Sequence, residues 1–231
     1  MINLVYSPKW FYGKDIAIDI ISSIVLFLIA FFSYKYYRLG KKRNNILLSA
    51  SFSLIGLSFL FKILTNFTIY YTKIRQSHFG FFIYSYKTVE LSNFPFYFGF
   101  FMYRFLTLFG LYLLYSIYTK QRKTDMLIVV YLLFTTTLFG MASYYVFHVS
   151  AFILLSIITS HYFRNSRKTE SITNRMLSYS FLVISISQVL FVFIAFKTMY
   201  AVAEAVQLIG YLMLLITLFM VLTYGKKKKQ N

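Results

Sequence analysis

The sequence predicts an all-α membrane protein, a seven-transmembrane helix bundle with its N-terminus outside and its C-terminus in the cytoplasm. Apolar residues make up 59% of the 231 residues and charged residues only 13%, whereas soluble proteins carry about 25% charged residues. A soluble chain of this size could not bury so much apolar surface. A bilayer removes that need, and the apolar residues are arranged in long runs.

The apolar runs define the predicted crossings, since a helix needs roughly 20 apolar residues to span the hydrocarbon core. The stretch 126–163 contains no Asp, Glu, Lys or Arg. As one helix it would be about 57 Å long, nearly twice the thickness of the core, so we predict two short spans with a turn at 140–143. The predicted spans are 16–37, 46–70, 95–118, 126–140, 143–163, 175–196 and 200–224. They leave an outer loop at 71–94 and a basic cytoplasmic tail at 225–231.

The positions of the basic residues predict the orientation. With a turn at 140–143, most of the 24 Lys and Arg residues fall on one side, in clusters at 38–43, 120–123, 164–175 and 226–229. Cytoplasmic loops of membrane proteins carry such an excess. The net charge of +18 therefore indicates the lipid bilayer of the cell membrane as the partner, and no nucleic acid. The tail is expected to lie against anionic lipid, and docking of a cytoplasmic protein is the alternative.

An internal repeat is indicated by two matches between the halves of the chain. The words Leu108-Phe109-Gly110-Leu111 and Leu208-Ile209-Gly210-Tyr211 are alike, and the second and sixth predicted spans align at an offset of 129 residues. A 3+1+3 parallel repeat would account for both matches; chance similarity of short apolar words is the alternative. The aligned residues are Asn45, Leu48, Ser49, Ser51, Phe52, Ile55 and Ser58, with Asn174, Leu177, Ser178, Ser180, Phe181, Ile184 and Ser187.

Polar residues inside the predicted spans are the candidate functional residues, because ionisable groups are expensive in a bilayer and usually face a cavity or a partner. Most of them fall in the outer halves of the spans. We predict that Arg104 or Lys62 pairs with Glu204 or Asp19, leaving a polar pocket open to the outside. The candidate pocket residues are Asp19, Lys62, Asn66, Arg104, His148, Gln188, Glu204 and Gln207.

Less specific roles are the alternatives for these residues. Lys62, Asp15, Asp19 and Glu204 could extend to the outer head groups. Arg104 could form a structural ion pair, and His148 could be a satisfied core histidine.

The sequence contains no pattern typical of catalysis. There is no cysteine, and the three histidines are scattered without a carboxylate at ligand spacing. Phosphate-binding, dinucleotide-binding and nucleophile motifs are absent. We therefore expect no catalytic residue, no metal, no cofactor and no enzymatic activity.

Three families resemble the chain in topology. Microbial rhodopsins have the same orientation, but their Schiff-base lysine has no counterpart in the last predicted span, 200–224. Sugar transporters of the SWEET class have a similar three-one-three repeat, but their Pro-Gln signatures are missing, since the only prolines are Pro8 and Pro95. The alternation of spans and basic turns is similar to the seven-span sensor regions that precede bacterial and archaeal histidine kinases. That resemblance implies a sensor-like module.

The sequence thus favours a non-enzymatic receptor- or sensor-like module that binds a small ligand, lipid or partner protein in an outward-facing pocket. A small-solute transporter and a structural subunit of a membrane complex are the alternatives.

Overall fold

In the computed structural model, the regular elements of the described residues are all helices. The structure describes residues 9–11, 13–78, 89–119, 123–140, 144–169, 172–193 and 198–227. A short 3-10 helix at Lys9–Phe11 precedes seven α-helices. These are α1 (Lys14–Gly40), α2 (Arg43–His78), α3 (Val89–Ser116), α4 (Lys123–Phe139), α5 (Tyr144–Thr169), α6 (Ile172–Val192) and α7 (Met199–Lys227).

Six of the seven helices are long and apolar enough to cross a membrane, as a multi-pass protein requires. The exception is α4, an apolar helix of 17 residues. At about 1.5 Å per residue it is roughly 25 Å long, slightly shorter than the hydrocarbon core of a typical bilayer. The described residues thus form a helical bundle that fits a multi-pass membrane protein, with six candidate spans.

The helix bounds differ from the predicted spans around the loop 71–94. Helix α2 continues to His78, and α3 begins at Val89, six residues before Pro95. Hydropathy locates the end of an apolar run, whereas a helix can continue through polar residues with good helix propensity, such as Lys73 and Arg75. Residues 79–88, which include the aromatic part of this loop, lie outside the described residues, as do the last four residues of the tail.

The helices pack as two groups of three. In the N-terminal triplet, α2 lies between α1 and α3; in the C-terminal triplet, α6 lies between α5 and α7. The triplets meet where α1 contacts α7 and where α3 contacts α5, and α4 packs at the periphery against α3. The interior of the bundle is therefore enclosed by six helices, without α4.

Close approach of the helices depends on a glycine in each triplet. A Cβ on Gly110 would lie 2.6 Å from Ile55 Cγ1 and 3.0 Å from the carbonyl oxygen of Ser51. A Cβ on Gly210 would clash with Ile184 Cγ1 and would lie 3.1 Å from the Ile184 nitrogen. Small residues at such contacts let helix backbones approach in a membrane, where packing replaces the hydrophobic effect as the driving force.

The turn between α1 and α2 contains one strained residue. Lys41 has φ 47° and ψ 24°, and its N–H donates to the carbonyl oxygen of Tyr37 at 2.6 Å. This left-handed cap usually carries glycine, because a side chain there costs about 1–2 kcal/mol.

Replacing Lys41 by Gly is expected to raise the free energy of unfolding by about 1 kcal/mol, because the left-handed strain is removed. Lys42→Gly is the matched control: it removes the same charge, but Lys41 is the only non-glycine residue with positive φ in the described part of the chain. Thermal unfolding of the purified protein measures both variants. Equal shifts would contradict the assignment of strain to Lys41.

One end of the bundle carries the basic turn between α1 and α2. A cavity there is bounded by Tyr36 and Asn45 on either side of the α1–α2 turn, by Leu177 near the start of α6 and by Val221 near the end of α7. We call this end the basic end, because the exposed basic residues at 38–43 lie in that turn.

Candidate functional site

Three ionisable side chains meet in the interior, at the half of the bundle away from the basic end. Lys62 Nζ lies 2.7 Å from Asp19 Oδ1 and 2.6 Å from Glu204 Oε1. Asp19 and Lys62 belong to α1 and α2 of the N-terminal triplet, whereas Glu204 belongs to α7. We call these three residues the ion triad, and it connects the two triplets.

The ion triad is shielded from its surroundings. The two carboxylates are 0% exposed and Lys62 is 8% exposed. Lys62 Nζ also lies 5.4 Å from the centre of the Phe59 ring and 5.8 Å from that of Tyr103, distances at which aromatic rings attract a cation. This burial does not agree with the alternative in which the three side chains extend to the head groups.

The ion triad contains one more carboxylate than it has ammonium groups. Asn66 Nδ2 approaches Asp19 Oδ2 at 3.5 Å, but Glu204 Oε2 has no hydrogen-bond partner among the described residues. Gln207 Oε1, one turn further along the same face of α7, is also buried without a partner there. An unsatisfied buried acceptor costs about 1–3 kcal/mol, and more when it is charged. This face of α7 is therefore suited to a group that donates hydrogen bonds or carries positive charge.

His148 and Gln188 form a second polar contact, between α5 and α6. His148 Nδ1 and Gln188 Oε1 are 2.9 Å apart, and the imidazole stacks on Phe191 with ring centres 4.8 Å apart. The contact gives His148 Nδ1 a hydrogen-bond partner within the C-terminal triplet.

Arg104 does not join the ion triad. Its Nη1 donates to the carbonyl oxygen of Gly140, just after α4, at 2.8 Å, and its Cζ lies 3.9 Å from the centre of the Phe100 ring. Its neighbour Tyr103 faces the ion triad, and successive residues of a helix are about 100° apart around the axis. Arg104 therefore points towards the side of α3 that carries α4, and of the two predicted cations only Lys62 reaches the carboxylates.

Replacing Arg104 by Met is expected to loosen the end of α4 by about 1–3 kcal/mol, because the Gly140 carbonyl loses a charged donor. Hydrogen exchange should then become faster in 126–140 but not in α6. Arg167→Met, which removes an exposed arginine on α5, is the control. Unchanged exchange in 126–140 would mean that this hydrogen bond does not hold α4 in place.

A central cavity lies between the triplets, next to the ion triad in the direction of the basic end. It measures about 20 Å³, enough for about one water molecule. Its polar lining comes from both triplets and consists of Tyr103, Thr107, Gln188, Gln207 and Tyr211. Gln207 Nε2 donates to the Tyr211 hydroxyl at 3.3 Å, which leaves Gln207 Oε1 as an acceptor for a water molecule.

A larger cavity of about 260 Å³ lies at the basic end; we call it the basic-end cavity. Phe52, Phe181 and Leu214 line both cavities and separate them. Sequence reasoning missed this cavity and the tyrosines of the central one. In a chain with 22 Tyr, a tyrosine that faces the interior carries no distinguishing signal, and the volume of a cavity depends on distances between helices.

The fold and the buried charges define the class of protein: a helical bundle whose long apolar helices fit a multi-pass membrane protein. Among the described residues, no group of three or more His, Asp or Glu is placed to hold a metal ion. No model of a known protein family matches the chain, and comparisons with curated proteins and with solved structures find no similar protein.

Proposed function

We propose that the chain is a non-enzymatic, seven-span module of receptor or sensor type in the cell membrane, which binds a small ligand between its two triplets. The observation that carries the proposal is the ion triad: one lysine bridges a carboxylate from each triplet, in a site from which the surroundings are excluded.

Energetics favours a functional role for the ion triad. A bundle that only had to fold could fill this position with apolar residues, since replacing a buried ion pair by well-packed apolar residues is often neutral or stabilising. Ionisable residues inside a membrane usually mark a ligand, ion or proton site. The unpartnered oxygens of Glu204 and Gln207 indicate a ligand with a positive charge or several hydrogen-bond donors.

A 3+1+3 repeat is part of the proposal, and equivalent contacts support it. Ile55 packs on Gly110 as Ile184 packs on Gly210, and both isoleucines belong to the alignment at an offset of 129 residues. In such a repeat α1 is equivalent to α5, and α3 is equivalent to α7. The contact between α1 and α7 is therefore equivalent to the contact between α5 and α3, and both contacts are present. Two aligned serine pairs donate to the carbonyls of aligned residues: Ser51 to Leu47, Ser180 to Met176, Ser58 to Ile55 and Ser187 to Ile184.

The orientation in the membrane and the sensor role are proposed from the sequence alone. The basic turns favour the cytoplasm as the location of the basic end, which would put the ion triad in the outer half. In a sensor of this kind, a ligand that changes the contact between α1 and α7 would change the relative position of the triplets. The similarity to sensor regions of histidine kinases supports this role at the level of topology.

A small-solute transporter is the second candidate, favoured by one observation. The ion triad, the central cavity and the basic-end cavity follow one another between the triplets, and Phe52, Phe181 and Leu214 separate the two cavities. Transporters built from repeats place their sites at such an interface and open it from alternate sides.

The experiment is a stability screen of the protein in lipid nanodiscs with ammonium, alkylamines, quaternary amines, amino acids and polyamines. A ligand should raise the unfolding midpoint, and Glu204→Gln should weaken its binding about tenfold or more. Glu170→Gln, which removes a carboxylate between α5 and α6, should leave binding unchanged.

Three outcomes separate the candidates. Binding without uptake into proteoliposomes supports the receptor or sensor, and binding with uptake supports the transporter. If no compound binds and Glu204→Gln makes the protein more stable, the ion triad has a packing role and a structural subunit of a membrane complex is the better description.

A further inference from the structure

The basic-end cavity is large enough to hold part of a small apolar molecule. Protein interiors contain few voids larger than a water molecule, and a dry void of about 150 Å³ already binds benzene. The basic-end cavity measures about 260 Å³ and lies where the two triplets meet, bounded by α1, α2, α5, α6 and α7.

The walls of the basic-end cavity are suited to hydrocarbon. Leu48, Phe52, Leu177 and Leu214 supply much of its apolar surface. Two of the hydroxyls in this wall donate to carbonyls of their own helices: Ser33 to Ile29 and Thr217 to Met213, each at 2.8 Å. The other polar side chains of the lining are Tyr36, Asn45 and Tyr162. Water needs several polar partners to stay in a cavity, and this wall offers few, whereas an alkyl chain needs none.

The basic-end cavity is open towards the basic end. Tyr36 and Val221, at that end of the lining, are 36% and 38% exposed, whereas Phe52 and Leu214, at the deep end, are 4% and 2% exposed. The exposed basic residues near Tyr36 and Asn45 along the chain are Lys35, Arg38, Lys41, Lys42 and Arg43. Arg175, also exposed, precedes Leu177 by two residues. The turn beside the mouth is thus positively charged, and the residues that line the cavity are uncharged and mostly apolar.

We propose that the basic-end cavity binds the alkyl chain of an anionic amphiphile, whose head group is held by the basic residues at the mouth. A free fatty acid and an anionic phospholipid share this chemistry. The site is distinct from the ion triad, which lies beyond Phe52, Phe181 and Leu214 and contains one more carboxylate than it has ammonium groups. The two sites therefore select ligands of opposite charge.

The experiment uses the full chain in nanodiscs of a zwitterionic phospholipid and a dodecanoic acid that carries a photoreactive diazirine near the end of its alkyl chain. Mass spectrometry should locate its adducts in 29–36, 45–52 and 214–221. Leu177→Trp fills the cavity and should reduce these adducts roughly tenfold. Leu182→Trp, on the exposed face of the same helix, is the matched control and should not change them.

Two further probes test the charge and the source. Dodecanol with the same diazirine lacks the anionic head and should label the cavity severalfold less. A phosphatidylglycerol with the diazirine in one acyl chain labels the same residues if the occupant is a membrane lipid, and not if it is a free fatty acid.

Two results would overturn the proposal. One is labelling confined to lipid-facing residues such as Leu182 and unaffected by Leu177→Trp, and the other is equal labelling of the cavity by the acid and the alcohol. Leu48→Phe fills the same cavity if Leu177→Trp does not fold. Glu204→Gln should leave the labelling unchanged, so failure at the ion triad can be told apart from failure here.

Discussion

Replacing Lys62 by Met is expected to destabilise the protein by about 3–5 kcal/mol, the loss typical when one partner of a buried ion pair is removed. Lys62 is the cation that contacts both Asp19 and Glu204, and both carboxylates are 0% exposed. Without it, the carboxylates must take up protons or remain as uncompensated charges in the interior. Unfolding in detergent, followed by a thiol-independent dye or by circular dichroism, measures the loss.

Neutralising the whole ion triad should restore most of that stability. The triple variant with Asp19→Asn, Lys62→Met and Glu204→Gln contains no buried charge at this position, and such replacements are often neutral or stabilising. Lys35→Met, which removes an exposed lysine from α1, controls for the loss of net charge. If the triple variant were no more stable than Lys62→Met, the loss would come from packing of the Lys62 side chain and not from electrostatics.

The second large effect is expected at the helix contacts of Gly110 and Gly210. Alanine at either position should cost about 1–3 kcal/mol, the range typical of overpacking. The added Cβ would clash with Ile55 Cγ1, at 2.6 Å, or with Ile184 Cγ1. The clashing Cγ1 atoms of Ile55 and Ile184 are bonded directly to Cβ. They therefore move less easily than the far end of a long, flexible side chain would. Chemical or thermal unfolding of the two single variants should give similar losses if the triplets are equivalent.

A double variant tests the cause of that loss. Ile55→Ala removes the atom that Gly110→Ala would meet, so the double variant should be more stable than the sum of the single effects predicts. Gly40→Ala is the control, because its Cβ would have no heavy atom closer than 4.0 Å. Additive losses for Gly110→Ala and Ile55→Ala would show that the contact is not close in solution.

The long helices could be predicted from the sequence because hydropathy and charge act locally. A run of apolar residues between basic turns determines where a helix can lie in a bilayer, whatever it packs against. The C-terminal end of α2 could not be predicted in the same way, because Lys73 and Arg75 continue the helix beyond the apolar run.

The members of the ion triad could be predicted as candidates, but not their arrangement. Lys62 and Arg104 both lie well inside apolar runs, so depth alone could not decide which one pairs with Asp19 and Glu204. The decision depends on the rotation of α3, which turns Tyr103 towards the ion triad and Arg104 towards Gly140. No periodicity in the sequence indicates that rotation, because apolar residues surround Arg104 on all sides of the helix.

Phe52, Phe181 and Leu214 line both cavities and lie between them. Rotation about side-chain bonds is a faster class of motion than the sliding of whole helices, which takes microseconds to milliseconds. Rotation of the Phe52, Phe181 and Leu214 side chains can therefore set the rate at which small molecules pass between the central cavity and the basic-end cavity. The helices themselves need not move for this exchange.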